Sequence, residues 1–324
     1  MKKRFKRITW SVLMAVVLGF SACSSDDEPS DTPPADTENN EDAESTETDT
    51  ALSVDSVELW SQRGDQKIYG VMYQPKETTG PLPTVILAHS SSLTHAAMSG
   101  YALAIAQMGY AAYCFDFCGG SSQSRSDGST EEMTIFTEVE DLRAVVDTLR
   151  TKPYVEASKL YLLGSSQGGL VSALLADERT DDFAGMILFY PAFNIPELIN
   201  QLGSLGDWGS WGDWGDSGGF SGMGGMMSMS EAYLNSIKDF DVWSHIGKFS
   251  KPVCIIHGTK DIIVPISNSE KTVGLYPNAT LHAIEGANHG FNAANLGSIG
   301  SLMGASADYD SQVLLIVKQF LSGK

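Results

Sequence analysis

The chain has 324 residues, 40 of them acidic and 21 basic, for a formal net charge of −19. An excess of that sign argues against nucleic-acid binding, which needs basic patches to displace counterions from phosphate. The length suits one large α/β domain, a class that runs well past the usual ~150 residues. The four cysteines show no C-x-x-C spacing of the kind that holds a metal, and no cofactor or metal is expected.

Charge is spread unevenly. Lys2, Lys3, Arg4, Lys6 and Arg7 precede the apolar run Ile8–Phe20, so residues 1–22 read as a signal peptide, too short to remain as a comfortable membrane span. Phe20-Ser21-Ala22-Cys23 resembles a bacterial lipobox, which makes Cys23 the lipidated first residue of the mature protein. Ser24 after the cysteine fits an outer-membrane lipoprotein, facing the periplasm or the cell surface, and the lipid anchor would attach the protein to the membrane. Residues 23–51 then form an acidic tether: eleven acids and no base fall between positions 24 and 50, a composition that resists folding. Removing those acids and the five leader bases leaves 16 basic and 29 acidic residues in the domain proper, 52–324, a net −13.

From Leu52 strands and helices alternate. Val54–Trp60 and Lys67–Tyr73 read as an antiparallel lead-in, joined through the hairpin chemistry of Arg63-Gly64-Asp65. Thr84–His89 is a buried strand, followed by a helix near Ala96–Gln107, a strand at Tyr110–Asp116 and a long helix over Thr130–Leu149 with apolar residues at 135, 139, 142, 145, 146 and 149. Strand Lys159–Leu163 and helix Gly169–Ala176 flank Gly164-Ser165-Ser166-Gln167-Gly168. Ala184–Tyr190, Pro252–His257 and Thr280–Ile284 complete the strands, with helices near Asn268–Leu275 and Tyr309–Leu321. Such alternation implies a mostly parallel, doubly wound sheet with ligands at its carboxyl edge. Cys114 and Cys254 fall inside strands and read as small core residues.

Between Tyr190 and Pro252 lie about 60 residues that fit no strand of the sheet, a cap or lid insertion at about 192–248. Glycines recur every third residue from 203 to 218, and Trp208, Trp211 and Trp214 share that period. An extended chain would align the three indoles on one side, against the pocket rim or against an aromatic or sugar group of a substrate. Ser230–Ile237 and Phe240–Ile246 read as helical and return the chain to the sheet.

Ser166 is the central serine of a G-x-S-x-G in strand–turn–helix context, the setting of a nucleophile on a sharp elbow. Asp261 follows a strand in His257-Gly258-Thr259-Lys260-Asp261, and His289 sits in the Gly-rich loop Gly286-Ala287-Asn288-His289-Gly290. A serine hydroxyl needs a base to take its proton, a histidine titrates in the right range, and a carboxylate fixes the histidine tautomer. Ser91, Ser166, Asp261 and His289 all land at the carboxyl edge. His95, in the loop after the third strand, is a candidate substrate contact.

These segments, with Ala88-His89-Ser90-Ser91, Tyr113-Cys114-Phe115-Asp116-Phe117, Ser126-Asp127-Gly128 and Val264-Pro265-Ile266, resemble the α/β-hydrolase superfamily over about residues 53–322. The resemblance is especially to single-domain bacterial esterases of the cinnamoyl/feruloyl type. It implies an α/β-hydrolase fold with Ser166 as nucleophile, His289 as base and Asp261 as its orienter. It also implies an oxyanion hole from the backbone amides of Ser91 and Gln167, and a structural role for His89. Two departures stand out: His89-Ser90-Ser91 replaces the usual His-Gly, and Cys118-Gly119-Gly120-Ser121-Ser122 replaces Gly-His-Gly-x-Ser. The implied function is hydrolysis of small-molecule or polysaccharide-linked carboxylic esters. The alternatives are a serine peptidase of prolyl-oligopeptidase type and a non-catalytic glycan-binding lipoprotein.

Overall fold

The lead-in hairpin is β1 (Val54–Arg63) and β2 (Gln66–Pro75), closed by a two-residue turn in which Gly64 has φ +56°. Six further strands extend it: β3 (Leu82–Ala88), β4 (Ala111–Phe115), β5 (Val155–Ser165), β6 (Gly185–Phe189), β9 (Val253–Gly258) and β10 (Ala279–Ile284). The order across the eight-stranded sheet is β1-β2-β4-β3-β5-β6-β9-β10. β2 runs antiparallel to both its neighbours and every other pairing is parallel. The computed structural model describes residues 51–204, 220–222, 227–292 and 309–323. The leader, Cys23 and the tether up to residue 50 lie outside the described residues, as do Trp208, Trp211 and Trp214.

The period-2 alternation of side chains divides the core into two layers. Ile86 and Ala88 of β3, Leu160 and Leu162 of β5, and Val253 and Ile255 of β9 face one side. There they meet α2 (Ile135–Arg150) and α3 (Gln167–Glu178). Val85, Leu87, Leu163, Cys254 and Ile256 face the other, against α1 (Ser99–Gln107) and the C-terminal helix α8 (Asp310–Leu321). Strands covered on both faces explain the near-continuous apolar runs in the sequence.

Helix α2 buries Ile135, Val139, Leu142, Val145, Val146 and Leu149, the stripe read from the sequence. It begins five residues later than expected because Thr134 and Thr137 form a reciprocal cap, each hydroxyl accepting the other's amide. The same helix also buries two acids, Glu138 and Asp141, that periodicity did not single out.

Between β6 and β9 the chain forms α4 (Ile195–Ser204), a hairpin of β7 (Phe220–Gly222) and β8 (Met227–Met229), α5 (Glu231–Ile237) and the single turn α6 (Val242–His245). No described strand of this insertion joins the main sheet, since β7 and β8 pair only with each other. Helix α4 was not anticipated, and α6 stops short of the Phe240–Ile246 span. Helix α7 (Ser267–Val273) follows β9. Cys114, Cys118 and Cys254 are buried and unbridged.

Candidate active site

Strand β5 and helix α3 meet at Ser166, which stands between them with φ 52° and ψ −116°. That conformation is uncommon for any residue with a Cβ and is fixed here from both sides. The Ser166 amide donates to the Phe189 carbonyl at 2.9 Å, and its own carbonyl accepts from Gly169 and Ala192, each at 3.0 Å. The flanking glycines leave the space the turn needs. A Cβ at Gly164 would collide with the Gly168 carbonyl, and one at Gly168 with the carbonyls of Ala88 and His89 at the end of β3.

Asp261 and His289 come from the turns after β9 and β10, which are tied together by Thr259 N–H donating to Ile284 O, Lys260 N–H to Ala287 O, and Gly286 N–H to Thr259 Oγ1. Across that junction His289 Nδ1 lies 2.7 Å from Asp261 Oδ2, and His289 Nε2 lies 3.1 Å from Ser166 Oγ. A carboxylate can only accept, so Nδ1 bears the proton and Nε2 is left to accept from the serine hydroxyl. The three residues named from the sequence are therefore one hydrogen-bonded relay.

Asp261 is buried, and burial alone would raise its pKa; hydrogen bonds from His257 and His289 outweigh that and hold the carboxyl well below its usual range. Its other oxygen, Oδ1, accepts the amides of Ile263 and Val264 at 2.9 and 2.8 Å. His257, expected only as loop support, is fully buried and touches the same carboxylate: Nε2 lies 3.2 Å from Asp261 Oδ2 and 2.9 Å from the Val264 carbonyl, with Ser269 Oγ on Nδ1 at 2.6 Å. Asp261 thus receives donors on both oxygens and stays ionised.

The implied oxyanion donors are Ser91 and Gln167, the second next to Ser166 in the chain. Ser91 lies in the turn after β3, which packs on the elbow: Ser90 Oγ is 2.9 Å from Ser165 Oγ, and Ser165 Oγ also reaches Met98 Sδ. The absent glycine has a simple account. Neither Ser90 nor Ser91 has a positive φ; the left-handed residue of this turn is Ser92, at 60°. His89 anchors the turn as expected, Nδ1–H donating to Ser90 O at 2.8 Å and Nε2 accepting from Phe117 N–H at 3.2 Å. Burial lowers its pKa and keeps it neutral, consistent with a nitrogen that accepts.

Gln167 follows Ser166, and its side chain is committed inward. Nε2 donates to Glu138 Oε2 on α2, and Oε1 accepts from the Tyr233 hydroxyl on α5, both at 2.8 Å. His95 is held rather than free, its amide and Nδ1 both 2.7 Å from Oδ1 of buried Asp116 and its ring edge-on to Tyr69. The site residues that sequence reasoning missed are Tyr190, whose ring lies against His289, and Glu138. Tyr190 carries a signal only in hindsight, as the last residue before Pro191 at a sheet edge.

A family model described as serine aminopeptidase, S33, matches residues 80–210. No curated protein matches the sequence. Among solved structures, ferulic acid-bound Est1E from Butyrivibrio proteoclasticus is similar with a TM-score of 0.63 at 23% identity, over 76% of this chain and 97% of that one. A monoacylglycerol lipase from Paleococcus ferrophilus gives a TM-score of 0.55 at 18% identity, over 78% and 98%. The α/β hydrolase GrgF from Penicillium sp. sh18 gives 0.60 at 16%, over 84% and 100%. At these identities the likeness is one of fold. Sheet order, elbow and structural likeness together show an α/β-hydrolase fold, and residues 80–210 match the serine aminopeptidase family model.

Proposed function

We propose that the protein is a serine hydrolase of carboxylic esters acting through an acyl-enzyme on Ser166. The observation that carries this reading is the continuous relay from Ser166 Oγ to His289 to Asp261, at 3.1 and 2.7 Å. His289 Nε2 takes the hydroxyl proton as Ser166 Oγ attacks the ester carbonyl. The amides of Gln167 and Ser91 receive the developing oxyanion, each such donor contributing about 3 kcal/mol to the transition state. His289 returns its proton to the departing alcohol, and a water deprotonated by the same nitrogen releases the acid. Asp261 stabilises the imidazolium in both halves without taking the proton.

For the substrate, the structural likeness to a ferulic acid-bound protein and the sequence resemblance to feruloyl esterases favour acyl or feruloyl esters, including those on plant polysaccharide. The leader, the lipobox ending in Cys23 and the acidic tether support an outer-membrane lipoprotein acting on extracellular material. The serine aminopeptidase match favours a peptide substrate as the second reading. A fluorophosphonate probe on wild type and Ser166→Ala, followed by turnover of p-nitrophenyl acetate, methyl ferulate and proline-containing peptides, separates these. Ester turnover without peptide cleavage is expected; peptide cleavage alone would reverse the order, and an unlabelled wild type would end both. Membrane fractionation of wild type and Cys23→Ala tests the anchor, with only the wild type expected in the membrane.

A further inference from the structure

Three buried polar side chains from three elements meet beside the nucleophile: Glu138 of α2, Gln167 of α3 and Tyr233 of α5, each at most 2% exposed. The Tyr233 hydroxyl donates to Gln167 Oε1, and Gln167 Nε2 donates to Glu138 Oε2. A primary amide held at both ends cannot turn without leaving a buried donor or acceptor unpaired, so the side chain fixes the residue. The backbone of that residue is the peptide next to Ser166, and Tyr233 belongs to the insertion rather than to the sheet layers. We propose that Tyr233 and Glu138 are positioning residues that, through the Gln167 side chain, hold the Gln167 amide where the oxyanion forms, so that helix α5 of the insertion helps set turnover at Ser166. The inference rests on the serine-hydrolase reading above.

The arrangement has a pH consequence. Burial pushes the Glu138 carboxyl up to about 8, with Asp141 adding repulsion and the Gln167 hydrogen bond opposing it. The groups facing it are Gln167 from α3, Tyr233 from α5 and Asp141 one turn along its own helix, and Asp141 is already paired with Arg63 of β1 at 2.5 Å. At neutral pH Glu138 is therefore protonated. Its ionisation sets a buried negative charge one side chain away from the amide that must receive a second one.

The test uses the full chain and p-nitrophenyl acetate, with spontaneous hydrolysis subtracted and fluorophosphonate labelling in parallel. Tyr233→Phe is expected to lower kcat about tenfold with KM within about twofold, since the lost bond matters mainly in the transition state. The wild type is expected to lose kcat as pH rises through about 8, whereas Glu138→Gln, which copies the protonated acid, keeps its kcat there. A labelled, active wild type whose Tyr233→Phe variant keeps full kcat overturns the inference alone. So does an alkaline limb that Glu138→Gln leaves in place, or losses that merely track loss of folded protein by circular dichroism. A wild type that takes no probe and turns over no ester overturns the hydrolase reading, and the inference with it.

Discussion

The ring of Tyr190 rests against the ring of His289, centroids 4.4 Å apart and planes inclined at 56°. Tyr190 occupies that place with φ 36°, a conformation that costs a bulky residue about 1–3 kcal/mol. Its surroundings impose it: the Tyr190 amide donates to Ile256 O at 2.9 Å, and Phe291 packs edge-on at 4.9 Å. The strain is spent on a floor for the imidazole, which fixes how far Nε2 stands from Ser166.

Removing that floor should loosen His289 without touching Ser166. Tyr190→Ala is expected to lower kcat on a small acetyl ester by roughly 10–100-fold, the scale of a misplaced catalytic group. Tyr190→Phe, which keeps the ring, should stay within about threefold. Equal losses in both variants would assign the effect to the hydroxyl, which lies by Ser165 and Ser90, and not to packing.

Adjacent serines at the elbow should behave oppositely. Ser166 Oγ faces His289, whereas Ser165 is buried with its hydroxyl on Ser90 and Met98. Ser166→Ala should leave no turnover above the residual ~10³–10⁴-fold over water supplied by binding and the oxyanion donors. Ser165→Ala loses the hydrogen bonds to Ser90 and Met98, about 1 kcal/mol each at most, and should keep most activity. A dead Ser165→Ala beside an active Ser166→Ala, measured on p-nitrophenyl acetate, would put the elbow out of register.

The difference between what the sequence showed and what it hid follows from how each residue is held. Ser166, Asp261 and His289 were legible because each follows a strand whose burial forces an apolar run, and the sheet brings strand ends together. Thr134 could have been read as a cap, but the helix pattern of α2 runs smoothly past it. Glu138 was illegible for a stronger reason. An acid at a core position contradicts periodicity unless its partners are known, and these lie 29 residues away on α3 and beyond it on α5. His257 was placed correctly at a strand end, yet its contact with Asp261 depends on a turn that no local pattern specifies.

Trp208, Trp211 and Trp214 lie outside the described residues, so their expected behaviour rests on the sequence. A Gly-rich stretch has high chain entropy and contributes more to substrate fit than to domain stability. Replacing Trp208, Trp211 and Trp214 together with alanine should raise KM or lower kcat/KM for bulky aromatic esters about tenfold while sparing acetyl esters. Equal losses on both would make the tryptophans supports of the fold. No loss on either would remove them from substrate binding.

Two buried carboxylates are displaced in opposite directions, and their effects on stability fall in different pH ranges. Asp261 is held below its ordinary value, so its contribution is present above about pH 4 and is lost as pH falls through the range where it protonates in the folded state. Glu138 is held above its ordinary value of 4.5, so its contribution is complete below that and declines as pH rises towards about 8. Thermal melts from pH 3 to 9 should therefore show two independent slopes. Asp261→Asn should flatten the acid side and reduce kcat by roughly 10⁴-fold, because an amide no longer fixes the histidine tautomer. Glu138→Gln should flatten the slope between about 4.5 and 8, melting about 5 °C above the wild type at pH 8 and close to it at pH 4. Gln in place of Glu cannot ionise, so a wild-type slope persisting in that variant would assign it to the other buried acids whose carboxyls burial raises, Asp141 and Asp177, and not to Glu138.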